Sequence, residues 1–392
     1  MSSNNAAIFT PLKLGKNELK HRIVLAPLTR MRANSDAVPN DLMKEYYSQR
    51  ATDGGLLITE ATFIGRHAGS YPNVPGLYSK DQITEWKKIT DAVHAKGGVI
   101  FVQLWHLGRV ASAVLNEGQQ PVSASDITVK GMNLLGQPQE KPRALLIPEI
   151  KDITEQYRQA ALNAVEAGFD GIEIHSANGY LLDQFINTSS NNRTDIYGGS
   201  IENRARFSLE VVDAIVDAIG AERTAIRFSP WSGFQDMEDE TPYETWGYLT
   251  QRLQDSHPDL AYLHFVEPRT NMMGEQNADT PDSLDPFRKA WKGTFISAGG
   301  YTYDKNIAFD TAEKTGNLIA FGRQFLANPD LQLKNHYILQ RHGFSLANND
   351  NLICSNPDIA IPPTGGPLGT GYGLHEKGKV QVKGVRTEKE EK

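Results

Sequence analysis

The sequence predicts an α/β fold, a single (β/α)8 barrel of the TIM type, and three observations carry that expectation. Eight short runs rich in β-branched residues recur along the 392-residue chain. Each run is continuously apolar rather than alternating, as strands buried on both faces of a parallel sheet require. Segments of helical period separate the runs, and strands alternating with helices close most simply into a barrel.

In chain order, Phe9 to Lys20, with Leu14-Gly15-Lys16-Asn17-Glu18-Leu19 at its centre, reads as a hairpin that caps the barrel's N-terminal end. The expected strands are Ile23 to Leu28, Leu56 to Ala61, Val99 to Trp105, Gly171 to His175, Thr224 to Ser229, Leu260 to Val266, Thr294 to Ala298 and Leu318 to Phe321. Helical patterns between them include Asp81 to Lys96, Ile153 to Ala167 and Ile201 to Ile219. The last follows Ser200 as its N-cap, carries Glu202 in its first turn and stops at Gly220. Leu107 to Glu149, rich in Gly, Pro, Ser and Gln, is too long for an ordinary strand-to-helix turn and reads as an excursion over the active face after the third strand. The barrel domain is expected to span residues 1 to 372. Residues 373 to 392, rich in Lys and Glu, read as a charged, disordered tail.

Composition narrows the function classes. With 39% hydrophobic and 22% charged residues the chain can bury a large core. A net charge of -7 leaves no basic surface for nucleic acid or acidic lipid, so neither is an expected partner. One cysteine, Cys354, excludes a disulfide framework and a cysteine-ligated cluster, and no metal site is expected. The first ten residues lack the basic and apolar regions of a signal peptide, and no apolar run reaches membrane-spanning length. A cytoplasmic location follows as the expectation, with the sequons at Asn187 and Asn192 silent.

In such barrels functional side chains sit at the C-terminal strand ends. Those ends carry Ala26 to Arg30, Thr59 to Ala61, Gln103 to His106, His175, Arg227 to Trp231, Ser297 to Tyr301 and Phe321 to Arg323. The fourth is the most informative: His175 closes the strand, and Asn178 and Tyr180 follow just beyond it. An imidazole and a carboxamide can donate two hydrogen bonds to one oxygen while a phenol delivers a proton, which suits a conjugated carbonyl. The bland alternative is that His175 caps the strand and Asn178-Gly179 only turns the chain. Gly299-Gly300 and Gly322-Arg323 follow the last two strands, where barrels commonly bind phosphate through backbone N–H groups; they could equally serve only as turns. Arg227 reads either as a ligand of a flat heterocycle or as a salt-bridged structural arginine.

The motifs Ala-Pro-Leu-Thr-Arg (26 to 30), Gln-Leu-Trp-His-Leu-Gly-Arg (103 to 109), His-Ser-Ala-Asn-Gly-Tyr-Leu (175 to 181), Arg-Thr-Asp-Ile-Tyr-Gly-Gly-Ser (193 to 200) and Phe-Gly-Arg (321 to 323) together resemble the old yellow enzyme family of FMN-dependent ene-reductases. The chain looks like a fungal member. The resemblance implies one non-covalent FMN, NADPH as hydride donor, and a small-molecule enone or nitro compound whose C=C bond is reduced in a ping-pong cycle, by a monomer or homodimer. It implies that His175 and Asn178 bind the carbonyl and that Tyr180 is the proton donor. Thr29 would tune the flavin's reactive edge. Gln103 would bond the pyrimidine edge, and Arg227 would face the region where reduced flavin gathers negative charge. Ala26, Pro27, Ala61, Gly300, Gly322 and Arg323 would hold ring and phosphate. Tyr71, Trp105, Phe234 and Tyr372 sit where relatives line the substrate, with packing the alternative for Trp105, Phe234 and Tyr372. Ala61 departs from the glycine of several members, and Pro268 to Asp282, with Met272-Met273, matches nothing in the family and reads as a loop beside the substrate channel. The alternatives left open are a specialised isomerase that uses bound FMN and a non-catalytic flavin carrier. Iron-sulfur relatives are excluded by the lone cysteine, and a flavin-free aldolase by the absence of a lysine or carboxylate base at a strand end.

Overall fold

A computed structural model describes residues 6–69, 71–269, 279–301 and 305–332. Tyr372, expected over the substrate, Met272 and Met273, expected in a loop beside its channel, and the tail from 373 lie outside the described residues. A single turn of 3-10 helix at Ala7–Phe9 precedes the hairpin strands β1 (Leu12–Leu14) and β2 (Asn17–Leu19). Then come β3 (Ile23–Leu25), α1 (Asp41–Arg50), β4 (Leu56–Phe63), α2 (Lys80–His94) and β5 (Val99–Trp105). The short pair β6 (Val122–Ser123) and β7 (Arg143–Ala144) lies within the excursion, which α3 (Ile147–Glu166) ends. The second half runs β8 (Gly171–His175), α4 (Leu181–Ile186), α5 (Ile201–Ile219), β9 (Thr224–Phe228), α6 (Pro242–Ser256) and β10 (Tyr262–Val266). It closes with α7 (Asp285–Ala290), β11 (Phe295–Ala298), α8 (Lys305–Thr315), β12 (Leu318–Phe321) and α9 (Arg323–Ala327).

Eight of these strands form a closed parallel barrel in the order β3-β4-β5-β8-β9-β10-β11-β12, with β12 pairing back to β3. The predicted barrel therefore stands, and its strands are buried along both faces as their continuous apolar runs require. Two boundaries move for identifiable reasons. β3 stops at Leu25 rather than Leu28 because Pro27 has no N–H to continue a ladder, although the Ala26 N–H still reaches the Phe321 carbonyl at 3.1 Å. α3 starts at Ile147, six residues before the apolar period suggests, because Pro148 suits a first turn and the Glu149 carboxylate accepts the Leu146 N–H at 2.8 Å.

The interior is filled in levels. Leu14 and Leu19 of the hairpin, both fully buried, plug the N-terminal end. Above them Val24, Leu56, Phe101, Tyr262, Ile296 and Leu318 form an apolar cluster inside the strands. Gln103, Glu173, Arg227 and His264 sit nearer the C-terminal mouth, each buried. The barrel thus changes from apolar filling to polar side chains within two residues along each of β5, β8, β9 and β10. No helix among the described residues is long and apolar enough to cross a membrane.

Candidate active site

β8 delivers His175 to the mouth, and the turn after it is tightly specified. Asn178 and Gly179 both adopt left-handed backbone, with φ of 56° and 76°. Asparagine tolerates that region and glycine is unstrained there. A side chain at 179 would also press within 2.9 Å of Gln235 Cβ and 3.0 Å of the Phe234 carbonyl oxygen. The turn is pinned by two side chains: Ser229 Oγ accepts the Asn178 N–H at 2.7 Å, and Asp183 Oδ2 accepts the Gly179 N–H at 2.8 Å. Burial pushes the Asp183 carboxyl up to about 7 despite those bonds, and its other oxygen accepts from Asn187 Nδ2 at 2.9 Å. Tyr180 then stands at the N-cap of α4, aimed back across the strand end.

The turn brings four expected residues into one aromatic nest. The rings of His175 and Tyr180 meet edge-on with centroids 4.9 Å apart, and Trp105 meets Tyr180 edge-on at 4.7 Å. Trp105 lies parallel to Phe63 at 5.3 Å and to His175 at 6.1 Å, while Tyr71 meets it edge-on at 5.8 Å. Trp105 is therefore a packed wall that also borders His175. Burial, followed by the nearby Arg227 and His264, holds the His175 pKa well below its ordinary value, so the imidazole is neutral and carries one N–H. Among the described residues His175 Nδ1, Asn178 Oδ1 and Trp105 Nε1 are buried without a hydrogen-bond partner. Buried polar atoms usually have a partner, and a ligand or an ordered water can supply one here.

Beside the nest lies a buried polar chain. Gln103 Nε2 donates to Glu173 Oε1 at 2.7 Å, and His264 Nδ1 lies 2.8 Å from Glu173 Oε2. Burial would raise the Glu173 carboxyl, but His264, Arg227 and Gln103 outweigh it and hold it below the usual carboxylate range. Arg227, in register with both His175 and His264, has no carboxylate within ion-pair distance among the described residues, and its Nε has no partner. That geometry disfavours the purely salt-bridged reading of Arg227. It leaves a buried cation at the mouth with donors to give.

The opposite arc presents backbone. Ala26, Ala61, Ala298 and Ala320 are small buried residues near the ends of β3, β4, β11 and β12. Pro27 and Thr29 follow β3, and both are half-buried. Gly299 and Gly300, after β11, have φ of 116° and 76°, and a Cβ on Gly300 would come within 2.8 Å of Arg269 Nε. Gly322 follows β12 with a Cβ position 3.3 Å from Leu28, and Arg323 opens α9, partly exposed. One buried carboxylate supports this arc. Glu60 Oε2 accepts the Arg30 and Met31 N–H groups at 2.9 and 3.3 Å, and burial raises its pKa to about 7. A flat ring with a phosphate suits such a mouth: on one side Arg227 Nε and His175 Nδ1 lack partners among the described residues, and the other presents glycine backbone flanked by the Arg269 side chain.

Phe234 belongs to a 3-10 turn whose backbone rests against Gly179, which puts it beside the site, half-buried. Arg109 holds that turn in place by donating to the Gln235 carbonyl at 2.8 Å and to the Ile127 carbonyl of the excursion at 3.2 Å. Sequence reasoning missed Glu173, His264, Glu60 and Asp183. For Glu173 a signal existed: it lies two residues before His175, so the period of a strand puts both on one face.

Known proteins resemble this chain over most of its length. The model of the NADH:flavin oxidoreductase / NADH oxidase family matches residues 7–341. The chain is 49% identical over 325 residues to 12-oxophytodienoate reductase 1 of Oryza sativa subsp. japonica, covering 83% of this chain and 84% of that protein. It is 45% identical over 347 residues to flavin oxidoreductase hxnT of Emericella nidulans, covering 83% and 89%. Rice 12-oxophytodienoate reductase 7 is 43% identical over 344 residues, covering 83% and 86%.

Proposed function

The chain belongs to the NADH:flavin oxidoreductase / NADH oxidase family, the old yellow enzyme family of its motifs, and from that membership we propose an NADPH-dependent ene-reductase for α,β-unsaturated carbonyl and nitro compounds. It is a flavin-dependent oxidoreductase with FMN as cofactor. The observation that carries the finer reading is the unpartnered ring nitrogen of His175, buried beside the Tyr180 ring with the Asn178 carboxamide in the turn that follows. The rice relatives are named reductases of a molecule whose name carries an oxo group and two double bonds, and an oxo group is what the His175 ring N–H and the Asn178 amide N–H would hold.

Bound FMN supplies the hydride, taken from NADPH and passed to the substrate's β-carbon. The chain's own residues do the rest. Neutral His175 donates its N–H to the substrate carbonyl oxygen, and the Asn178 carboxamide donates a second hydrogen bond to the same atom, stabilising the charge that develops there. Tyr180 delivers its phenolic proton to the α-carbon. Ala26, Pro27, Ala61, Gly300 and Gly322 give backbone to ring and phosphate, Thr29, Gln103 and Arg227 meet the ring's polar edges, and Arg323 pairs with the phosphate. Tyr71, Trp105 and Phe234 shape the space over the substrate. The same reading has one domain, residues 1–372, working in the cytoplasm as a monomer or homodimer.

Tyr180→Phe tests it. In stopped-flow, bleaching of the yellow protein by NADPH keeps its rate, while re-oxidation by cyclohexenone slows roughly a hundred- to ten-thousand-fold, the range for loss of a positioned general acid. An unchanged re-oxidation rate would remove Tyr180 from the chemistry. A yellow protein that NADPH cannot bleach would instead be a flavin carrier.

A further inference from the structure

Glu173 is a charged side chain with no exposure, in the middle of a barrel strand, and none of the roles above uses it. Both of its oxygens are committed: Oε1 accepts from Gln103 Nε2 at 2.7 Å, and Oε2 meets His264 Nδ1 at 2.8 Å. An ionised carboxylate can only accept, so the orientation of the Gln103 amide is not a free choice. Its nitrogen must face Glu173. Its oxygen is left over, turned away from the carboxylate. Gln103 is 1% exposed, so nearly all of its side chain lies out of bulk water.

We propose that Glu173 is a positioning residue that acts through Gln103, fixing the amide so that it presents an acceptor, and never a donor, to the cofactor ring. The claim rests on Gln103 meeting the ring's pyrimidine edge, as in the function proposed above, and deepens that reading. It makes Gln103 select a ring N–H rather than a ring carbonyl.

His264 gives the arrangement a direction. In Glu173→Gln, with the His264 hydrogen kept on Nδ1, the new amide offers its oxygen there, which turns its nitrogen towards Gln103. Gln103 must then flip to show that nitrogen its own oxygen, and its N–H₂ faces the ring. One isosteric substitution therefore inverts the polarity of a second residue that it does not alter. The proposal predicts a loss of FMN affinity that disappears when Gln103 is absent.

The experiment measures FMN dissociation by flavin fluorescence in the unmodified protein, Glu173→Gln, Gln103→Ala and the double variant, together with FMN methylated on its ring imide nitrogen. Glu173→Gln is expected to weaken FMN binding about tenfold, the scale of one net hydrogen bond, and to add nothing in the Gln103→Ala background. The unmodified protein should bind the N-methyl analogue at least about tenfold more weakly than FMN, with that preference largely erased in Glu173→Gln. Additive losses, or an unmodified protein that binds both flavins equally, would overturn the proposal. The second arm needs no variant and decides the matter even if Glu173→Gln does not fold. Failure of the enzyme reading has a different signature, since there the protein lacks bleachable flavin altogether.

Discussion

Along β5, β8, β9 and β10 the buried residues near the mouth include Gln103, Glu173, His175, Arg227 and His264, whereas along or just after β11, β12, β3 and β4 they include the small Ala298, Ala320, Ala26 and Ala61 beside Ser297, Thr62, Phe63 and Phe321. One arc offers polar side chains to the mouth. The other carries small residues that leave main chain near it. Each arc also rests on one buried glutamate, and the two behave oppositely. Glu173 is held below the usual carboxylate range because His264, Arg227 and Gln103 surround it, while Glu60, with backbone N–H groups and a tyrosine as its hydrogen-bond partners, is raised to about 7 by burial. Equal burial of the same residue type thus gives a fixed charge on one side and a titrating group on the other.

If the side-chain arc does the chemistry and the backbone arc holds the cofactor, substitutions on the two should separate cleanly. The largest effect is expected at His175. His175→Ala removes one of two donors to a carbonyl, so enone-dependent re-oxidation should fall roughly a hundredfold or more, on the scale of a lost oxyanion donor. Phenol binding, read by its long-wavelength charge-transfer band, should weaken in parallel, with FMN content and bleaching by NADPH retained. Loss of FMN in this variant would break the division between the arcs.

Gly300→Ala probes the other arc. A Cβ at φ 76° is strained, and it would lie 2.8 Å from Arg269 Nε, so the loop must shift. FMN affinity should drop about tenfold for a strain of order 1 to 2 kcal/mol, while turnover per bound flavin stays the same. A variant that keeps its FMN but turns over slowly would put Gly300 in the chemistry instead of the cradle.

The two arcs were unequally legible. The apolar β-branched runs fix where strands lie, and the polar residues that end them, His175 and Arg227 above all, stand out because a strand end is where such a residue has no structural need to be. Glu173 and His264 were hidden inside runs read as continuous and apolar, although the twofold period already placed Glu173 on the face of His175. Glu60 could not be assigned a direction at all. The register of β4 against β5 shifts between Ile58 and Ala61, so that Ala61 pairs with Gln103 while Glu60 contacts Tyr47 of α1. A bulge is set by pairing, and a single strand's sequence does not reveal it.

That bulge makes Glu60 the site of the smallest but most diagnostic change. Its folded pKa of about 7 lies above the ordinary value of 4.5, so the folded chain binds the proton more tightly than the unfolded one. The resulting stability is complete below about pH 4.5 and is lost as pH rises through 7. Glu60→Gln keeps an oxygen for the Arg30 and Met31 N–H groups and cannot ionise, so it should match the unmodified protein at pH 5 and exceed it at pH 8. The gain should be about one to three kcal/mol, since each pH unit between the folded and unfolded values is worth about 1.4 kcal/mol, and it should appear as a rise of a few degrees in Tm. Glu173 is ionised across the same window and adds no slope there. A Tm difference between Glu60→Gln and the unmodified protein that stays constant from pH 5 to 8 would mean that Glu60 also carries a fixed charge, and the electrostatic contrast between the two arcs would fail.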